Sequence, residues 1–94
     1  ISKTIVMIME IIFTKKAKKD LEKLDHSIQK RIDIAIREKL EIDPQNHLIP
    51  LTGSFKGLLK FRVGDYRLIC KKENGQLVVL VLTIQHRKEV YNIM

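Results

Sequence analysis

The chain predicts an α+β domain: a helical hairpin packed on a mostly antiparallel four-stranded sheet, in the order β-α-α-β-β-β. Three observations predict it. An apolar run that hardly alternates is followed by two stripes of helical spacing. After Leu58 the apolar period drops to two. Two turn signals, Gly64-Asp65 and Asn74-Gly75, then divide the second half into strands.

Val6 to Phe13 reads as a first strand buried on both faces, because its apolar run is nearly continuous. Thr14 can cap the helix that follows, in which Ala17, Leu21 and Leu24 fall on one stripe. Asp25 and Ser27 offer a break and a fresh cap. Ile28, Ile32, Ala35, Ile36 and Leu40 then form the stripe of a longer second helix, stopped by Pro44. Pro44 to Lys56 reads as a polar, irregular connection. From Leu58 the strand alternation points Leu59, Phe61 and Val63 one way and Leu58, Lys60 and Arg62 the other. Tyr66 to Lys72 returns antiparallel, Leu77 to Ile84 is apolar enough for a central strand, and His86 to Met94 is a short charged tail. No repeat, linker or low-complexity stretch interrupts this order.

A chain of 94 residues supports one domain and one core. It begins with Ile, and Met7 and Met9 lie nearer an expected natural start, which leaves residues 1–6 as a leader. The apolar segment Ile5 to Phe13 is too short to span a bilayer and contains Glu10, and no small-residue cleavage site follows it. No membrane association is expected, and a cytoplasmic location is. Cys70 is the single cysteine, so no internal disulfide can form, and its place in an apolar strand marks it as a small buried hydrophobe.

The formal net charge is +7, unevenly spread. Residues 1–50 carry ten Lys and Arg against eight Asp and Glu, whereas residues 51–94 carry eight against three. The excess sits on the sheet half and suggests an anionic partner.

The residue types exclude several chemistries. His26, His47 and His86 are scattered and lack a metal-ligand spacing. Gly53, Gly57, Gly64 and Gly75 form no phosphate-binding loop, and Ser2, Ser27 and Ser54 lack the surroundings of a nucleophile. No cofactor is expected. RNA cleavage needs less machinery, because the substrate's own 2′-hydroxyl can attack the adjacent phosphate. The protein must align that attack, stabilise charge on the phosphate and protonate the leaving 5′-oxygen. Lys60 is a candidate base or electrostatic stabiliser. Arg67 can clamp a phosphate with two donors. His86 or Arg87 can stand at the leaving oxygen, and Tyr91 can stack on a base. Arg62 and Lys56, with Lys15, Lys19 and Lys23 of a helix face otherwise expected to be solvated, are candidate contacts to an RNA backbone. Tyr66 is expected to be structural, its ring supporting Arg67.

The segments AKKDLEKLD, VGDYRLI and HRKEVY, and the sheet half as a whole, resemble the RelE branch of the RelE/ParE toxin superfamily. The resemblance implies a toxin of a type II toxin–antitoxin pair that enters the ribosomal decoding site and cuts mRNA there, leaving a cyclic phosphate and a 5′-hydroxyl. It implies a small, acidic, RelB-like antitoxin as partner, with the ribosome and mRNA as targets. Lys60 and Arg62 match basic positions on the strand before the hairpin. Arg67 matches the arginine of the YRL step, Arg87 the arginine after the final strand, and Tyr91 the late tyrosine. Leu58 stands where some members carry another lysine, and the stretch from Arg87 to Tyr91 is shorter than in the best-known branch. His86 is therefore a candidate for a role that other members give to arginine or lysine. Ile34, off the main stripe of the second helix, is a candidate antitoxin contact. ParE-like relatives share the fold and resemble gyrase poisons, so gyrase inhibition is the alternative, alongside a non-catalytic RNA-binding module.

Overall fold

The boundary between first strand and first helix is set by Thr14. Its hydroxyl accepts the Ala17 amide at 3.2 Å, as an N-cap should, and donates to the Leu82 carbonyl at 3.0 Å, which ties the start of the helix to the last strand. The computed structural model describes residues 10–73, 75 and 78–86. Within them, β1 (Glu10–Phe13) leads into α1 (Lys15–Glu22) and α2 (His26–Ala35), and α2 continues as a π-helical turn over Ile36–Leu40. The wider turn is closed by Glu41 N–H donating to the Ile36 carbonyl at 2.9 Å. It leaves Ile36 and Leu40 both buried, so the stripe expected from the sequence is kept through the irregularity.

Pro44 opens a short helix, α3 (Pro44–His47), where its missing N–H costs nothing. A three-residue strand follows, β2 (Leu48–Pro50), then a 3₁₀ turn at Gly53–Phe55, β3 (Leu59–Val63), β4 (Tyr66–Glu73) and β5 (Val78–His86). The sheet has five strands in the order β1-β5-β4-β3-β2, one more than the sequence suggests. The added strand β2 pairs antiparallel with β3 at the sheet edge, where Pro50 is tolerated. Gly64 makes the β3–β4 turn possible: its φ of +59° is the left-handed conformation that a two-residue hairpin requires.

The first strand departs from expectation in a second way. It is an edge strand, parallel to β5, and its exposure alternates, with Ile12 40% exposed. Among the described residues helices cover one face of the sheet only, and Ile12 of the apolar run lies exposed. Residues 6–9 of the expected strand lie outside the described residues.

The core lies between that covered face and the helices. Ala17 of α1 and Ile32, Ile36 and Leu40 of the second helix pack on Leu48, Phe61, Leu68, Cys70, Val79, Val81 and Ile84. Cys70 is fully buried, which pushes its thiol pKa up to about 12.

Candidate functional site

Among the described residues no helix covers the opposite face of the sheet, and strand pleating decides what it presents. Lys60 and Arg62 alternate with the core residues Phe61 and Val63, so both point away from the helices. Their cross-strand partners on β4 are Ile69 and Arg67, whose own partners on β5 are Thr83 and Gln85. Three strands thereby contribute one layer containing Lys60, Arg62, Arg67, Thr83 and Gln85. A one-residue irregularity between Ile69 and Cys70, opposite Leu82, locally reshapes β5 beneath this layer.

The segment joining β2 to β3 folds over the same face. Leu51 N–H donates to the Leu58 carbonyl at 2.9 Å, and Leu58 N–H to the Phe55 carbonyl at 3.0 Å, so the segment closes on itself. Between it and the sheet lies a cleft of about 330 Å³, lined by Leu51, Thr52, Phe55, Leu58, Lys60, Arg67, Ile69, Leu82, Thr83 and Gln85. Lys60 and Arg67 therefore share one cavity. Arg62, across from Arg67 on the neighbouring strand, is exposed at its side.

His86 is not brought to that cleft. It pairs in register with Tyr66, and the two rings meet edge to face at 5.1 Å on the helix side of the sheet. There they line a second, smaller cavity of about 280 Å³ with Lys16, Asp20, Lys23, Leu24 and Ile84. The expected joint action of His86 with Lys60 and Arg67 is thus corrected by strand alternation, as is the expected support of Arg67 by Tyr66: adjacent residues on a strand face opposite ways. Arg87 and Tyr91 lie outside the described residues. Lys56 is exposed at the end of the 3₁₀ turn, Lys15 and Lys19 are exposed on α1, and Lys23 is exposed at its C-terminal cap. Ile34 is 36% exposed on α2, away from the core.

Asp20 had no distinguishing mark in the sequence, yet it joins α1 to the strand that walls the cleft. Its Oδ2 accepts the Thr83 hydroxyl at 2.6 Å and the Ile84 amide at 3.0 Å, and its Oδ1 accepts Lys16 Nζ at 2.7 Å. Burial alone would raise the carboxyl's pKa, but the hydrogen bonds from Lys16, Thr83 and Ile84, with the charge of Lys16, outweigh it and hold the group below its ordinary value. Phe55, Leu51, Thr83 and Gln85 were likewise not distinguishable as cleft residues from the sequence. For Leu51 and Phe55 the only signal was the long connection before β3, where function often concentrates, and for Thr83 and Gln85 there was none.

The described residues include no group of three or more His, Cys, Asp or Glu side chains placed to hold a metal ion. The cleft can offer cationic donors beside an apolar floor, an arrangement suited to an anion attached to a flat or apolar group.

Comparison with known proteins agrees with this architecture. The profile of the ParE toxin of the type II toxin–antitoxin system parDE matches residues 11–91. No curated protein sequence matches the chain. Among solved structures, the toxin–antitoxin complex RelBE2 of Mycobacterium tuberculosis is similar at 28% identity and a TM-score of 0.78, over 85% of this chain and 99% of that one. The RelB–RelE antitoxin–toxin complex of Methanococcus jannaschii is similar at 26% identity and a TM-score of 0.64, over 88% and 98%. The chromosomal ParDE system of Pseudomonas aeruginosa shares the fold, with 14% identity and a TM-score of 0.65 over 85% and 97%. With the profile spanning most of its length, the chain belongs to the RelE/ParE superfamily as a toxin of a type II toxin–antitoxin system.

Proposed function

We propose that this toxin is an endoribonuclease that cuts mRNA in the ribosomal decoding site. The observation that carries the reading is the placing of Lys60 and Arg67 in one cleft on the open face of the sheet, with Arg62 beside them. In this reading the RNA's 2′-hydroxyl attacks the neighbouring phosphate. Arg67 holds that phosphate with paired donors, and Lys60 takes the proton of the 2′-hydroxyl or stabilises the charge that builds as the bond forms. Arg87 and Tyr91 keep the roles that the resemblance implies, at the leaving 5′-oxygen and on a base. His86, turned to the other face, supports the end of β5 through Tyr66 and is not assigned to the reaction. Lys15, Lys19, Lys23 and Lys56 remain proposed contacts to ribosomal RNA or mRNA backbone. The ribosome supplies most of the alignment, since the cleft itself offers few positioning groups.

The two complexes above pair their toxins with antitoxins. By that relation this chain has its own antitoxin, a small acidic RelB-like protein that covers the basic face, with Ile34 as one contact. The test of the main reading is to induce the chain without its partner and map mRNA 5′ ends. Breaks confined to translated frames support it, and unbroken mRNA during growth arrest refutes it.

A second reading has its own support, because the matching profile is that of ParE. A gyrase inhibitor would arrest growth with mRNA intact and would block supercoiling by purified gyrase.

A further inference from the structure

Ile69 is only 8% exposed although it lies on the face away from the helices and outside the main core cluster. It lines the cleft together with the segment joining β2 to β3, and that segment is held in shape by its own backbone hydrogen bonds. The chain thus spends an ordered loop on a second, small apolar cluster of Leu51, Phe55, Leu58 and Ile69, in the same cleft as Lys60 and Arg67. Among the described residues no carboxylate lines this cleft. An aromatic ring and an aliphatic floor next to two cations fit a ligand that is flat and apolar at one end and anionic at the other. Its volume, about 330 Å³, lies at the lower end of small-ligand sites.

We propose that the cleft is a subsite for one unstacked nucleotide of single-stranded RNA, with the base on Phe55 and its phosphate on Lys60 and Arg67. Every base has a π face that an aromatic ring can support, so this subsite favours a base without dictating which one. Phe55 sits on the 3₁₀ turn, far along the chain from Tyr91, and acts as a separate platform. The inference rests on reading the chain as an RNA-binding toxin. Its test measures equilibrium binding, so it can fail while cleavage stands, or hold while cleavage is absent.

The probes are a trinucleotide of 2′-O-methyl RNA, which lacks the attacking hydroxyl, and the same backbone carrying no bases. The wild-type chain binds the base-bearing probe roughly 5- to 150-fold more tightly, the span of one base–aromatic stack. Phe55→Leu keeps the loop apolar; it brings the two affinities together and leaves the abasic probe's affinity unchanged. Lys60→Ala weakens both probes alike. The chain has no tryptophan, so Phe55→Trp adds a single reporter whose emission is quenched by the base-bearing probe and not by the abasic one. Equal affinities in the wild type, no binding of either probe, or a preference that survives Phe55→Leu would each overturn the proposal.

Discussion

Removing the Asp20 carboxylate is expected to loosen the join between α1 and the strand that walls the cleft. The side chain is 12% exposed and accepts two hydrogen bonds on Oδ2, from the Thr83 hydroxyl and the Ile84 amide. Hydrogen bonds to a charged group contribute about 1.5–3 kcal/mol each, and a donor left without a partner costs about 1–3 kcal/mol. These are alternative views of the same loss, so for two bonds Asp20→Ala is expected to cost about 2–6 kcal/mol in all. Lys16 adds little to this sum, because its side chain is 69% exposed and its attraction is screened. Asp20→Asn keeps one acceptor oxygen and should lose about half as much. For a domain of this size each kcal/mol moves Tm by about 4–8 °C, so the alanine variant should melt at least several degrees lower. The pH dependence follows from the depressed pKa of Asp20. A carboxyl with a lowered folded pKa contributes fully above its unfolded value of about 3.9, and the contribution is lost as pH falls through the folded value. Urea unfolding of wild type and Asp20→Ala should therefore differ by a constant amount between neutrality and about pH 5, and the gap should narrow in more acidic buffer, where the neutral carboxyl keeps one acceptor oxygen. Coincident curves at pH 7, or a gap that persists unchanged at the lowest pH where the protein folds, would refute the reasoning.

Two further outcomes separate site from scaffold. Arg67→Ala should lower ribosomal mRNA cleavage by about 10²–10³-fold, as loss of one preorganised donor does elsewhere, while Lys23→Ala should weaken association mildly and more so at low salt; equal losses would reduce the basic surface to a general attractor. Cys70, fully buried with its thiol pushed up to about 12, should resist a thiol reagent at pH 8 in the folded protein and react promptly in urea; prompt native labelling would show that β4 opens readily.

The sequence disclosed the core more readily than the edges of the sheet, for physical reasons. Ala17, Ile32, Ile36 and Leu40 recur at helical spacing, and Phe61 and Val63 alternate with Lys60 and Arg62, so packing and pattern coincide. At β2, three residues ending in proline carry no readable alternation, and only pairing with β3 makes them a strand. For β1, a continuous apolar run suggested burial on both faces, but Ile12 faces the uncovered side. The cleft was half legible. Lys60 and Arg67 stood out because cations interrupt an otherwise apolar sheet half, whereas the contribution of Phe55 depends on how one connection folds back. The grouping of His86 with them relied on the proton-transfer chemistry of an imidazole and on its place beside Arg87. One residue of strand alternation separates the two faces, and Tyr66 holds His86 on the helix side.

Cleavage of a defined mRNA in a reconstituted translation system, with and without ribosomes, tests the central claim most directly. The account predicts breaks bearing 5′-hydroxyl ends inside decoding-site codons, formed only when ribosomes are translating and suppressed in Arg67→Ala. Intact mRNA alongside inhibited supercoiling by gyrase would contradict it and favour the ParE-like reading, and equally rapid cutting of ribosome-free RNA would contradict its dependence on the ribosome.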